Sequence, residues 1–227
     1  MDAELPVIQL TPIEARILGA LVEKEVTTPE YYPLTLNALQ AACNQKNNRA
    51  PVLTLDGEAL ARGIYSLQEK HLLESFAGAN ARALKYRERL TGHLALAPDE
   101  RAVLCELLLR GPQTTGELRT RAARMHPFAT PEEVQSTLEG LAAREPGPLV
   151  TELPRQPGHK ETRFAHLLGD QPPSTDIFRA DLPPPTAVAA VMNEVARLTQ
   201  LENRVAALEA DIAELRAHFQ TFKSQLE

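Results

Sequence analysis

The stretch Leu10-Thr-Pro-Ile-Glu-Ala-Arg-Ile-Leu-Gly-Ala-Leu21 returns later in the chain as Leu96-Ala-Pro-Asp-Glu-Arg-Ala-Val-Leu-Cys-Glu-Leu107. A stretch that returns in this way indicates two copies of one folding unit. In each copy a proline stands in the first turn of a predicted helix, as Pro12 and as Pro98. The apolar residues of the two helices correspond in position: Ile17, Leu18 and Leu21 to Val103, Leu104 and Leu107. The repeat therefore predicts two equivalent helices at the start of two similar domains.

Two further helices are predicted in each copy. The second helix covers Leu34–Cys43 in the first copy and Thr115–Met125 in the second, where Thr115 is the predicted N-cap. The third helix follows the predicted caps Asp56 and Thr130. Its apolar side chains recur at one spacing in both copies: Leu60, Ile64 and Leu67, then Val134, Leu138 and Leu141.

After the third helix, the apolar residues of both copies change to a period of two, which is typical of strands. Two hairpins result, each from a pair of predicted strands: Leu72–Phe76 with Leu84–Leu90, and Leu149–Leu153 with Thr162–Leu167. Three helices followed by a hairpin are the plan of a winged helix. The predicted fold class is therefore mainly α with small β-hairpins (α+β), built as two tandem winged-helix domains. The predicted divisions are an N-terminal tail at 1–9, the two domains at 10–92 and 93–168, and a Pro-rich linker at 169–186.

The last predicted element is a helix over residues 187–227, where an apolar residue stands at every third or fourth position. This heptad pattern, with mostly β-branched residues at a and mostly leucine at d, favours a parallel two-stranded coiled coil. We therefore expect a homodimer, although a helix that lies back on its own chain would also bury such a stripe. The predicted dimerisation residues are Leu201, Val205, Leu208, Ile212, Leu215, Phe219 and Phe222.

The composition narrows the possible functions. The net charge of −6 shows no general basic excess, so any contact with nucleic acid must come from local patches.

The chain has two cysteines and an acidic start without a signal-peptide pattern, from which we expect a cytoplasmic protein. Cys43 and Cys105 stand at apolar helical positions, which predicts buried, unreactive thiols. Histidines and cysteines form no metal-ligand motif, and the chain contains no Gly-rich phosphate loop or paired carboxylates. No cofactor, metal or enzymatic activity is predicted.

Several motifs resemble the YceH family of bacterial proteins. They are Leu34-Thr-Leu-Asn-Ala-Leu39, Ala42-Cys-Asn-Gln-Lys-Asn-Asn-Arg-Ala-Pro-Val52 and Arg163-Phe-Ala-His-Leu167. The opening Leu10-Thr-Pro12 also fits, and the likeness covers nearly the whole chain. The family pattern often has Asp before the proline, where this chain has Ala50. The resemblance implies a tandem winged-helix fold and a dimer, and it implies no particular activity.

Basic and amide residues collect in a few places. On the second strand of the first hairpin, bases at two-residue spacing face away from Leu84 and Tyr86. A polar loop precedes the third helix of the first copy, and arginines cluster on the second helix of the second copy. Such groups bind phosphates or read base edges. The predicted nucleic-acid-binding residues are Lys46, Asn47, Asn48, Arg49, Arg62, Arg82, Lys85, Arg87, Arg89, Arg119, Arg121 and Arg124.

The third helices argue against DNA binding led by a helix. Opposite the apolar stripes, these helices carry Glu58, Arg62 and Glu69 in the first copy, and Glu132 and Glu139 in the second. Excess acid is unfavourable against phosphate charge.

We therefore hypothesise a DNA-binding regulator that uses the hairpin and the loop. The alternative is a non-enzymatic protein–protein interaction adaptor, because fold does not decide function. The bases of the hairpin also suit a solvated edge strand, and the asparagines of the loop also suit tight turns. Ion pairs between Lys85, Arg87 and Arg89 and the molecule's own carboxylates would argue against DNA binding.

Overall fold

A computed structural model of the chain describes residues 8–77, 83–155 and 161–169. These residues belong to one compact unit and form a mixture of α-helices and short antiparallel strands. Within them, no helix combines the length and the apolar character that a membrane span requires. The predicted coiled coil at 187–227 and the linker beyond Gly169 lie outside the described residues.

The first half of the unit has the predicted order of three helices and a hairpin. Its elements are α1 (Pro12–Thr27), β1 (Leu34–Thr35), α2 (Leu36–Cys43), α3 (Gly57–Glu69), β2 (Leu73–Phe76), β3 (Lys85–Glu88) and the short α4 (Leu90–His93). The start predicted for the second helix was wrong by two residues, because Leu34 and Thr35 pair with β3 as a strand. Thr35 then caps α2 by accepting a hydrogen bond from the amide of Ala38.

The second half repeats this order. Its elements are α5 (Pro98–Arg110), α6 (Thr115–Ala122), α7 (Pro131–Ala142), β4 (Val150–Leu153) and β5 (Arg163–His166). The N-cap predicted for α6 was wrong: Thr114 and not Thr115 accepts a hydrogen bond from the amide of Glu117. Glu117 in turn accepts a hydrogen bond from the amide of Thr114. This reciprocal capping box favours Thr114 over Thr115 as the N-cap. The helix also ends before Met125, whose amide makes a turn with the carbonyl of Ala122.

The predicted caps of two other helices are confirmed: Asp56 and Thr130 accept amide hydrogen bonds at the starts of α3 and α7. Thr11 and Glu14 also form a capping box at the start of α1. Each cap satisfies one of the amides that have no partner within a helix. These starts depend on residues within one turn of each other, so the local sequence suffices to predict them.

Two small antiparallel sheets follow from the hairpins. The first has the order β1-β3-β2, and the second pairs β4 with β5. In the first hairpin, formed by β2 and β3, Glu74 lies opposite Arg87, and Phe76 lies opposite Lys85. Tyr86 is buried, as its alternation with the bases predicts, whereas Leu84 precedes the strand and is exposed.

A single hydrophobic core joins the two halves. The predicted apolar residues of α1 and α5 are buried in it, and the two helices pack directly on each other. Gly19 and Cys105 occupy equivalent positions in the repeat, and the Cys105 thiol donates to the Gly19 carbonyl at 3.3 Å. A Cβ atom on Gly19 would lie 2.9 Å from Leu109 side-chain atoms, so the close crossing of α1 and α5 requires glycine here. The two halves are therefore held as one body over the described residues.

Candidate nucleic-acid interface

The first hairpin carries three bases near its solvent-facing side. Arg87 forms an ion pair with the cross-strand carboxylate of Glu74, with 2.9 Å between Arg87 Nη2 and Glu74 Oε2. Arg89 lies 3.5 Å from the same oxygen, measured from its Nε. Lys85 makes no ion pair with any residue that the structure describes. Arg82, which the sequence places in the turn, lies outside the described residues.

These pairs count against an array of free bases but leave the surface cationic. Two of the three bases share the carboxylate of Glu74, and the charge of Arg87 also acts on Glu25 beside Glu88, whereas Lys85 has no ion pair with a described residue. The Arg87 and Glu74 side chains are each 42% exposed, and an ion pair at such a site contributes only about 0–1 kcal/mol. Arg87 also stacks on Phe76, with 5.4 Å between the guanidinium carbon and the ring centroid. A phosphate could therefore displace Glu74 at small energetic cost.

The loop after α2 is held rigidly at both ends. Asn44 exchanges two hydrogen bonds with the backbone of Leu55, at 2.9 and 2.8 Å. Asn48 adopts a left-handed backbone with φ of 60°, which asparagine tolerates, and its side-chain oxygen accepts a hydrogen bond from Arg110. Lys46 and Asn47 are exposed between these two anchors. Of the four residues predicted in this loop, these two are presented to solvent as a binding site requires.

Arg49 is the clearest correction to the predicted interface. Its side chain is buried, with a residue exposure of 4%, and its two terminal nitrogens lie 3.0 and 2.5 Å from the carboxylate oxygens of Glu23. It also donates to the carbonyls of Ala42 and Asn48. Burial alone would raise the pKa of Glu23, but the hydrogen bonds and charge of Arg49 hold that pKa below its ordinary value. Arg49 therefore stabilises the interior and cannot reach a nucleic acid in this structure.

Arg62 and Arg119 make local contacts. Arg62 forms an ion pair with Glu58 one turn earlier on α3, so the charge of Arg62 is already compensated. Arg119 donates to the backbone carbonyls of Phe128 and Ala129, at 3.5 and 2.8 Å, and steadies the loop before α7. Neither arginine contacts another residue of the predicted interface through these bonds.

Arg121 and Arg124 reach the interface between the two halves. Arg124 pairs with Glu23 on α1 and with Glu106 on α5, the latter at 2.6 Å. Arg121 donates to Gln113 at 2.8 Å and pairs with Glu117 at 3.2 Å. Because Arg49 also binds Glu23, the structure brings together predicted residues of the first half's loop and of the second half's arginine cluster.

Sequence reasoning missed the carboxylates that organise these arginines. Glu23 on α1 and Glu106 on α5 are completely buried. A signal was present for Glu106, which stands among apolar residues in Leu104-Cys-Glu-Leu-Leu108, whereas Glu23 opens the charged run Glu23-Lys-Glu25. A buried acid requires a basic partner, but the sequence does not say which one.

Both cysteines are buried as predicted. Burial raises the pKa of the Cys43 thiol to about 12 and moves that of Cys105 well above its ordinary value. Cys43 also lies next to the carbonyl of Arg16 rather than in a solvent-accessible cleft. Neither thiol therefore has the low pKa or the access that a nucleophile needs.

Comparison with known proteins places the chain in a family. The model of the family described as "Protein of unknown function, DUF480" matches residues 10–159. The chain belongs to this family. It is 51% identical over 222 residues to a UPF0502 protein of Geotalea uraniireducens, covering 97% of this chain and 99% of the relative. It is 46% identical over 214 residues to the UPF0502 protein YceH of Escherichia fergusonii, covering 92% of this chain and 97% of the relative. The resemblance to the YceH family is thus confirmed.

Proposed function

We propose that the protein is a non-enzymatic DNA-binding regulator of the cytoplasm, built from two winged helices. The observation that carries the proposal is the set of three bases on the first hairpin, of which Arg87 and Arg89 share Glu74 and Lys85 has no ion pair with a described residue. The hairpin would lie along the phosphate backbone, and residues 187–227 would join two chains as a coiled coil. DNA contact by two symmetric copies would favour two similar half-sites.

The helices support a hairpin-led contact. The outward face of α3 offers Arg62 already paired with Glu58, and the first turn of α7 carries Glu132 and Glu133. Acid in these positions would meet dense negative charge in the major groove, at an energetic cost. On the first hairpin the conflict is smaller, because its bases outnumber its acids and Glu74 is their ion-pair partner among the described residues.

The test is an electrophoretic shift at low and at moderate salt with the full-length protein. Reversing the charge of Lys85, Arg87 and Arg89 to Glu should abolish binding, and wild-type binding should weaken steeply with salt. Glu74→Gln should instead tighten binding by roughly 3- to 10-fold, because it frees Arg87 and Arg89 for phosphate. Glu152→Gln, an exposed acid on the second hairpin, makes the same change of charge and should alter binding less.

Absence of binding at low salt, or weaker binding by Glu74→Gln, would remove the support for this function. Dimerisation is tested separately by light scattering: a chain ending at residue 186 should be monomeric, and the full chain dimeric. A monomeric full chain at micromolar concentration would contradict the coiled-coil dimer and favour a helix that lies back on its own chain.

A protein–protein adaptor is the second candidate. The observation that favours it is the exposure of large apolar side chains in the first half, including Val52 in the loop before α3 and Tyr65 on α3. Exposed apolar groups of this kind often mark a protein-binding surface. A pull-down from cell extract should then retain a partner after nuclease treatment, and the double variant Val52→Ser/Tyr65→Ser should lose that partner.

A further inference from the structure

Arginines from both halves converge where α1 and α5 meet. Arg49, from the loop after α2, lies 2.5 Å from Glu23, and Arg124, which follows α6, binds Glu23 as well. Arg124 also lies 2.6 Å from Glu106, which Arg110 at the end of α5 approaches at 3.0 Å. We call this group, together with Arg121, the junction cluster.

Arg121 belongs to the cluster through Gln113. The Gln113 side chain accepts from Arg121 at 2.8 Å and donates to the backbone carbonyl of Glu106 at 3.0 Å. Arg121 is also close enough to repel Arg110. The pKa of Arg110 is lowered, chiefly by burial and further by repulsion from Arg121 and Arg124, although the charge of Glu106 acts in the opposite direction. Like charges are therefore held together at this point.

The carboxylates do not balance these arginines. The four arginines of the junction cluster, and Arg163 at 3.0 Å from Glu117, share three carboxylates: Glu23, Glu106 and Glu117. Arg16 lies buried beside Arg49 and donates to the carbonyls of Cys43, Pro51 and Leu109. The carbonyl ends of α2 and α5 offset part of the charge of Arg16, which is repelled by Arg49 and adds to the positive side of the balance. The junction keeps a positive excess.

The excess charge faces the solvent. Glu23 and Glu106 have 0% exposed side chains, whereas those of Arg110, Arg121 and Arg124 are 17%, 33% and 28% exposed. Over the described ranges, Nη1 of Arg110 donates to no protein acceptor. The acids thus hold the arginines from behind and leave donors available at the surface.

The loop after α2, which carries one more base, contacts the cluster. Asn48 accepts a hydrogen bond from Arg110, which ties the loop to the cluster. Lys46, two residues earlier, is exposed and has no ion-pair partner among the residues described. Buried Glu106 thus holds Arg110 from behind, and Arg110 is bonded to the loop that carries the exposed Lys46.

We infer that the junction cluster binds a phosphate group, held by Arg110, Arg121 and Lys46. Planar guanidinium groups match the oxygens of phosphate in bidentate contacts, and lysine adds a point charge. A bound dianion would relieve the repulsion among the arginines. The phosphate belongs either to a small free anion or to a nucleic-acid backbone, and the site does not depend on the first hairpin.

The experiment is isothermal titration of the full-length protein with inorganic phosphate at constant ionic strength, and with a short DNA duplex in parallel. We expect a dissociation constant for phosphate on the order of 1 mM. A phosphate concentration of roughly 20 times that constant should then raise the melting temperature by about 4 °C. Lys46→Gln removes an exposed charge without disturbing any described ion pair, and Arg121→Gln removes a partly exposed one. Each should weaken phosphate binding by at least about threefold. Arg62→Gln is the matched control, and it should bind phosphate as the wild type does.

Phosphate binding that is weakened by Lys46→Gln and Arg121→Gln, and unchanged in Arg62→Gln, supports a free anion as ligand. Binding of the duplex alone, weakened by the same two variants, supports the nucleic-acid backbone as the source. The inference is overturned if neither probe binds, or if all three variants bind like the wild type. Charge reversal of the first hairpin should leave phosphate binding intact, which separates this site from the proposed DNA contact.

Discussion

Replacing Arg49 with methionine tests whether this residue belongs to the interior or to a binding surface. Methionine keeps much of the buried volume but leaves the completely buried Glu23 with Arg124 as its remaining strong partner. Removing one member of a buried ion pair costs about 3–5 kcal/mol. We expect the lower end, about 3 kcal/mol, because Arg124 still compensates Glu23. For a protein of this size such a loss lowers the melting temperature by roughly 6–12 °C.

The assay is urea and thermal unfolding followed by circular dichroism. The double variant Arg49→Met/Glu23→Met should recover part of the loss, with a coupling energy of about 1–3 kcal/mol, because it no longer leaves a buried carboxylate short of partners. Arg87→Met is the control, since it breaks an ion pair whose side chains are 42% exposed and should cost at most about 1 kcal/mol.

The pH dependence follows from the same pair. The pKa of Glu23 is lowered from its ordinary 4.5 in the folded protein, so its ionised form stabilises the fold above that pH. This contribution is lost as the pH falls below 4.5 and through the lowered folded pKa. The stability gap between wild type and Arg49→Met should therefore narrow in acid. An Arg49→Met protein of wild-type stability that fails to shift DNA would refute the buried role of Arg49.

Other variants test the core and the buried titratable groups. Gly19→Ala should destabilise the protein by about 1–3 kcal/mol in urea unfolding, because its Cβ would lie 2.9 Å from α5, whereas Gly140→Ala, with open space around it, should stabilise by up to about 1 kcal/mol. A stabilised Gly19→Ala would contradict the close crossing of the helices. Burial lowers the pKa of His166 from 6.5 to about 4, so stability should fall by at most about 3 kcal/mol as the pH drops between these values. His166→Leu should reduce this dependence of stability on pH. An unchanged dependence would mean that other groups cause it. Cys43 and Cys105 should resist alkylation in the native protein and react at once in denaturant; fast native labelling would show that the interior opens.

Sequence patterns predicted the elements of the fold because those elements depend on neighbours. Asp56 and Thr130 cap helices three residues from the amides they bind. Leu60, Ile64 and Leu67 recur on one face of a helix, and all three are buried. The misplaced cap of α6 shows the limit of such reasoning. Two adjacent threonines are equivalent in propensity, and only the Glu117 partner of Thr114 separates them.

The sequence by itself therefore determined where the helices and the strands of the two hairpins lie, which apolar residues are buried and which family the chain resembles, but not the strand β1, which exists through its pairing with β3. The tertiary structure decided the role of each arginine. Arg49 and Glu23 are 26 residues apart in sequence, and Arg124 reaches Glu106 across 18, so no local period relates them. Whether an arginine faces solvent or a buried carboxylate depends on how α1 packs on α5, because burial of an acid makes pairing obligatory. The contact with Glu23 holds Arg49 inside, whereas Lys46, three residues earlier, lies at the surface.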